Sequence, residues 1–239
     1  RQRQMCIRDR FRVSMGSWFG RLKRAKMVFR DKRNADGQTC HSDAASVTQW
    51  CVVHLMAGQP WSWQRERLQF LPQRALWRPE GRVLLVADLH LGKAEAFQAH
   101  GIPLPSDADC GTINPLLDLC HRLRPKQLFV LGDLIHAREG VTPRLREVLR
   151  VLPELTGALL QLIGGNHDRH TRFEGLSQQP SQRLGQLWLS HAPEAPPQPD
   201  LLNVCGHLHP MSRVRGAADQ LRLPCFAYDQ EGPRLVIPA

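Results

Sequence analysis

Seven short apolar runs, each closed by a turn residue or a ligand-type side chain, constrain the fold of this chain more than any other feature. They are "RVLLVAD" (82–88), "KQLFVLGD" (126–133), "GALLQLIGGN" (157–166), "GQLWLSH" (185–191), "LLNVCGH" (201–207), "LRLPCFAY" (221–228) and "PRLVIPA" (233–239). Each has strand length and is rich in Val, Leu and Ile, the composition of strands buried on both faces. Helical patterns separate the early runs, in "AEAFQAH" (94–100), "CGTINPLLDLCHRLR" (110–124) and "TPRLREVLRVLP" (142–153). Strand, helix and strand in succession require crossover connections, so the chain is predicted to be α/β with a parallel sheet. Open sheets of this kind present their ligand sites where loops leave the carboxyl ends of the strands. Those ends carry Asp88 and His90, then Asp133 and His136, then Asn166, His167 and Asp168, then His191, then His207 and His209.

Taken singly, most of these motifs are weak. The D-x-H of "VADLHLGK" also suits an Asp capping a turn with a solvated His beside it, and Gly-Asp after a strand is ordinary turn chemistry. "GGNHDRH" is sharper, because paired glycines permit a tight turn while Asn, His and Asp aim at one place. "GHLHP" is expected to be extended, with both imidazoles on the same side. Five consecutive strand ends that all deliver oxygen or imidazole are another matter, and jointly they point to a metal centre. Asp88, Asp133, Asn166, His90, His191, His207 and His209 form a mixed O and N set without thiolate. It suits two borderline divalent ions such as manganese, zinc or iron, and not calcium.

The formal charge of +10 suggests a nucleic-acid binder until it is located. Residues 1–80 hold 16 Lys and Arg against 6 Asp and Glu, whereas residues 81–239 balance at 16 of each. The segment before Met56 has no sustained period of 3.6 or 2 and few apolar residues to bury. It is expected to be a disordered or spurious extension (1–55) ahead of one domain spanning 56–239. Nothing in it resembles the apolar core of a secretory signal, and no stretch of the chain reaches the ~18 apolar residues of a membrane span. Seven cysteines without C-x-x-C spacing argue for reduced thiols, hence a cytoplasmic location.

The ordered set D-x-H, G-D-x-x-H, G-N-H-D, a strand-end His and G-H-x-H resembles the calcineurin-like metallophosphoesterases. Over 56–239 it is closer still to the ligase-associated DNA damage response endonucleases (PdeM-like), through "LPQRALWRPEGRVLLVADLHLGKAEAFQAHGIPLP", "VLGDLIHAREG", "GNHDRH", "GHLHP" and "LRLPCF". The resemblance implies a four-layer αββα sandwich with a two-metal site at one edge of paired sheets. It implies that Asp88, His90, Asp133 and His209 hold one ion, and that Asp133 bridges to a second completed by Asn166, His191 and His207. His167 would be the proton donor, oriented by Asp168. His136, three residues after Asp133, stands where phosphoprotein phosphatases of this superfamily carry Asp-Arg-Gly, and looks more like the extra His of DNA-processing phosphodiesterases.

Lys93, Arg138 and Arg169, with Arg172, Arg213 and Arg215, are candidates to track a nucleic-acid backbone. Against strong single-strand binding stand the neutral body and its lone Tyr. Two departures from the family pattern are visible. "APEAPPQPD" follows His191 where His-Glu-Pro is expected, and the chain closes at "LVIPA" where relatives continue, so a truncated carboxyl end is expected. The function expected is that of a manganese-preferring phosphodiesterase acting on DNA as a repair endonuclease, with a DNA ligase and a helicase as suggested partners. A cyclic-nucleotide or dinucleotide phosphodiesterase and a non-catalytic scaffold of the same fold stay open as alternatives.

Overall fold

The computed structural model describes residues 51–53, 59–105, 107–215 and 220–239. Of the expected 1–55 extension, residues 1–50 lie outside the described part. Residues 51–53, which the sequence reading leaves outside the domain, form strand β1 (Cys51–Val53). The chain continues through β2 (Gln59–Trp63), β3 (Glu66–Leu71), β4 (Ala75–Arg78), β5 (Val83–Val86), helices α1 (Lys93–Ala99) and α2 (Cys110–Leu123), β6 (Gln127–Leu131), helix α3 (Pro143–Thr156) and β7 (Leu159–Ile163). It then runs through β8 (Ser177–Gln179), β9 (Ser181–Leu184), β10 (Leu187–Ser190), β11 (Leu202–Cys205), β12 (Met211–Arg215), β13 (Gln220–Pro224), β14 (Phe226–Asp229) and β15 (Arg234–Val236).

Seven strands form one sheet in the order β2-β3-β4-β5-β6-β7-β8, with β5 through β8 parallel. Six form a second, ordered β1-β14-β15-β11-β10-β9, in which β10, β11 and β15 run parallel. Strict alternation along β5 and β6 builds the layers. Leu84, Val86, Leu128 and Val130 face α2 and α3, meeting Leu116, Leu119, Leu145, Leu149 and Leu152. Their neighbours Val83, Leu85, Phe129 and Leu131 face the other sheet and meet Leu187, Leu189, Leu202, Val204, Phe226 and Leu235. Strands buried on both faces read as the continuous apolar runs seen in the sequence.

Local signals agree with this packing. Helix α3 starts where the Thr142 hydroxyl accepts the Leu145 N–H (3.2 Å), with Pro143 just inside, and stops at Gly157 in a left-handed turn. A buried ion pair between Arg78 Nε and Glu66 Oε2 (2.7 Å) joins β3 to β4. The other Glu66 oxygen accepts the Gln186 N–H (2.8 Å), fastening the second sheet's β10 to the first sheet.

The structure corrects two expectations about strands, while the α/β sandwich itself stands as expected. The run 221–228 is not one strand: Pro224 ends β13, which pairs only with β12 as a two-stranded ribbon, and β14 then enters the six-stranded sheet. Strands β2, β3, β4, β8, β9 and β12 have no counterpart among the predicted runs. Of the αββα layers, the two sheets and one helical layer are in place. Among the described residues no helix covers the outer face of the six-stranded sheet, where Cys205, Ala227 and Val236 pack with Leu208.

Candidate metal centre

Every candidate ligand leaves the carboxyl end of a parallel strand: Asp88 and His90 after β5, Asp133 after β6, Asn166 and His167 after β7, His191 after β10, His207 and His209 after β11. Asp88, His90, Asp133, His207 and His209 all adopt left-handed backbone, with φ of 52°, 48°, 49°, 65° and 46°. For residues with a Cβ this conformation costs about 1–3 kcal/mol each and persists only where the surroundings enforce it. Here the loops enforce one another: Asp88 N–H donates to Gly132 O (3.1 Å), His90 N–H to Asp133 O (2.9 Å) and His207 N–H to Asp88 Oδ2 (2.8 Å). Gly132 has a second constraint beyond its φ of +79°, since a Cβ there would stand 2.1 Å from His191 Nδ1.

Two clusters flank Asp133, and a third group, His90, Asp133 and His167, shares a residue with each. Asp88, His90 and His209 converge on one side, with His209 Nε2 3.3 Å from Asp88 Oδ1 and the Nε2 atoms of His90 and His209 3.4 Å apart. Asp133, His191 and His207 converge on the other, with His191 Nε2 3.4 Å from Asp133 Oδ1 and 3.0 Å from His207 Nδ1. His191 Nδ1 donates to Leu131 O (3.0 Å), because a carbonyl can only accept, and this leaves a lone pair on Nε2 directed into the cluster. Asp133, fully buried, stands between the clusters: its second oxygen lies 4.0 Å from His90 Nε2 and 3.7 Å from His167 Nε2.

The sequence reading of "GHLHP" as extended is corrected here. Left-handed backbone at both His207 and His209 turns the two imidazoles apart, one to each cluster. Asp168 is corrected as well. Its buried carboxylate accepts N–H groups of Gly165 (3.0 Å), Leu134 (3.3 Å) and Ile135 (3.3 Å), and the His167 imidazole is not among its hydrogen-bond partners. Asp168 pins the β7 loop to the β6 loop. Burial, and after it the nearby Asp133 charge, raise its carboxyl above the ordinary Asp value, while the three N–H groups pull it down.

His167 is held from below by its own N–H, which donates to Asp133 Oδ1 (3.1 Å). Its ring stacks on His136 (centroids 5.7 Å apart), and His136 stacks in turn on Phe97 of α1 (5.6 Å). Phe97 is absent from the predicted site residues; the signal for it is its place one helical turn after Lys93. Asn166 is exposed, and its Oδ1 accepts from Arg169 Nη2 (3.3 Å) with no hydrogen bond to either cluster. Lys93 and Arg138 are exposed on α1 and on the short 3-10 turn (138–140) packed against it. The loop after His191, where the sequence departs from the family pattern, is tied down by Trp188 Nε1 donating to Glu194 Oε1 (2.6 Å). Glu194 N–H donates in turn to Asn203 Oδ1 (3.3 Å).

Divalent metal fits these residues. Asp88 Oδ1 and Asp133 Oδ2 are buried oxygens that accept no hydrogen bond, a costly arrangement unless a cation meets them. Burial alone would raise the Asp88 carboxyl, but His209, His191 and the His207 N–H together hold it below the usual Asp value, so it is poised as an anion.

Residues 81–237 match the family model of the calcineurin-like phosphoesterases, and the chain belongs to that family. It is a metal-dependent phosphoesterase, a hydrolase of phosphoester bonds. Among solved structures it is similar to the nuclease MPE of Pseudomonas putida, with 30% identity and a TM-score of 0.58 over 76% of this chain and 86% of that one. No curated protein matches it. No helix among the described residues is long and apolar enough to cross a membrane.

Proposed function

We propose that this chain is a two-metal phosphodiesterase that cleaves DNA as an endonuclease. The observation that carries the reading is the position of Asp133, one buried carboxylate offering an oxygen to each of two separate ligand clusters. Asp88, His90 and His209 would hold one ion with Asp133, and His191 and His207 the other, with Asn166 joining once Arg169 releases its Oδ1. When bound, two divalent ions grip phosphoryl oxygens, lower the pKa of water and offset charge that builds at phosphorus. Manganese suits the oxygen and imidazole donors, as do zinc and iron.

The protein's own groups supply the rest. His167, the most exposed imidazole of the centre, is placed to give its proton to the departing alkoxide oxygen. His136 and Phe97 hold that ring in position by stacking. Asp168 fixes the loop that carries it. The nuclease name of the similar Pseudomonas putida protein supports a nucleic-acid substrate, and the family resemblance supports a repair role beside a DNA ligase and a helicase.

The test is hydrolysis of bis-p-nitrophenyl phosphate beside p-nitrophenyl phosphate with manganese, followed by a single-stranded oligonucleotide, using wild type and His167→Ala. Diester and oligonucleotide cleavage that both fall in the variant are expected. Turnover of the monoester alone would remove the nuclease reading.

A further inference from the structure

Strands β12 and β13 pair only with each other, and their ribbon begins two residues after His209. Cys225 N–H donates to Pro210 O (3.0 Å), closing the base of the ribbon against the G-H-x-H loop. The register sets Arg213 directly opposite Arg222. With Met211, Gln220 and Pro224 they share one face, since alternate residues of a strand point the same way. The opposite face carries Val214, Leu221 and Leu223, all exposed.

Two guanidinium groups directly across a two-stranded ribbon repel each other and destabilise the pairing. Among the described residues neither Arg213 nor Arg222 forms an ion pair, and Arg213 Nε is buried without a hydrogen-bond partner. The arrangement becomes favourable when an anion sits between them, because charge-assisted hydrogen bonds to phosphate are among the strongest that arginine makes. At about 3.3 Å per residue, Arg213 stands within roughly 13 Å of His209 along the chain. A polymer whose phosphates recur at nucleotide spacing can place one phosphate at the metal ligands and another at this pair.

We propose that the Arg213–Arg222 face is a phosphate-binding ribbon that grips the backbone of a nucleic-acid strand beside the scissile bond. This rests on the phosphodiesterase reading above and adds to it where the substrate is held. A small diester is too short to reach both the ribbon and the metal ligands, so the ribbon should matter only for polymers.

The test compares wild type, the double variant Arg213→Ala/Arg222→Ala and the opposite-face control Leu221→Ser, all as full chains. Binding of a fluorescent single-stranded 12-mer is measured without metal over a salt series, and hydrolysis of bis-p-nitrophenyl phosphate is measured with manganese. The double variant is expected to bind the oligonucleotide about tenfold more weakly. Its log affinity should fall less steeply with log salt, by about 0.7 for each phosphate that the arginines no longer neutralise. Diester hydrolysis should stay within twofold of wild type, and Leu221→Ser should behave as wild type in both assays. Unchanged oligonucleotide binding in the double variant would overturn the proposal. So would a matching loss of diester hydrolysis, which would make the arginines structural, or an effect of Leu221→Ser equal to theirs. If wild type binds no oligonucleotide yet hydrolyses the diester, the ribbon proposal falls and the phosphodiesterase reading stands. If it binds through the arginines but hydrolyses nothing, the reverse holds.

Discussion

The two sheets contribute to the centre in different ways. The seven-stranded sheet is apolar on both faces in its middle strands and delivers Asp88, His90, Asp133 and His167 from three adjacent parallel strands. The six-stranded sheet delivers His191, His207 and His209 from β10 and β11, and its outer face is without a helix among the described residues. The two outer clusters each combine a carboxylate from the first sheet with imidazole from the second, whereas the group between them, His90, Asp133 and His167, comes from the first sheet alone. The layer between the sheets is therefore part of the site's geometry, whereas the layer under α2 and α3 supports only one half of it.

The sharpest way to break this arrangement is at the shared group. Asp133→Ala should lower diester hydrolysis by on the order of a thousandfold. Metal content measured on the purified variant should drop at both clusters, while His209→Ala should empty only one. Retention of both ions by the Asp133 variant would contradict the bridge.

A core comparison comes next. Phe129→Ala, between the sheets, and Leu149→Ala, under the helices, should each cost about 3–4 kcal/mol in denaturant unfolding. Only the first should also weaken metal binding, read by titration of the folded variant. Equal metal affinities in the two would show that the inter-sheet layer does not set the ligand spacing.

Gly132→Ala attacks the same boundary from inside the site. Its Cβ would displace His191, so metal affinity should fall by roughly 10–100-fold. Stability should fall too, because alanine disfavours φ of +79°. The smallest effect belongs far from the boundary: Glu147→Gln, which removes an exposed ion pair with Arg150 (2.6 Å), should leave both the melting temperature and activity unchanged.

Legibility in the sequence follows the same divide between buried and exposed strands. Strands β5, β6, β7, β10, β11 and β15 declare themselves as apolar runs because both of their faces are covered or nearly so. The polar edge strands β8 (SQQ) and β9 (SQRL) carry no periodic signal, and in β2 to β4 aromatic and charged residues mix. Pro224 is the signal that divides 221–228, since proline tends to end a strand within a sheet. In the site, residue identities and their order are readable, but backbone handedness is not. "GHLHP" looks extended by spacing, yet it turns left-handed twice. Adjacency in sequence suggests pairing Asp168 with His167, but the tight turn sends the Asp168 carboxylate down to Gly165, Leu134 and Ile135 instead.

One residue lies between the diverging imidazoles. Leu208 packs against Cys205, Ala227 and Val236 on the far face of the six-stranded sheet, while His207 and His209 point to the centre. It works like the peg of a tuning head: the two strings leave it in different directions, and their tension is set from behind the board. Substitutions at Ala227 or Val236, which touch no ligand, should therefore shift how far apart the two seats stand. Metal preference should then change in such variants while the ligand set stays the same.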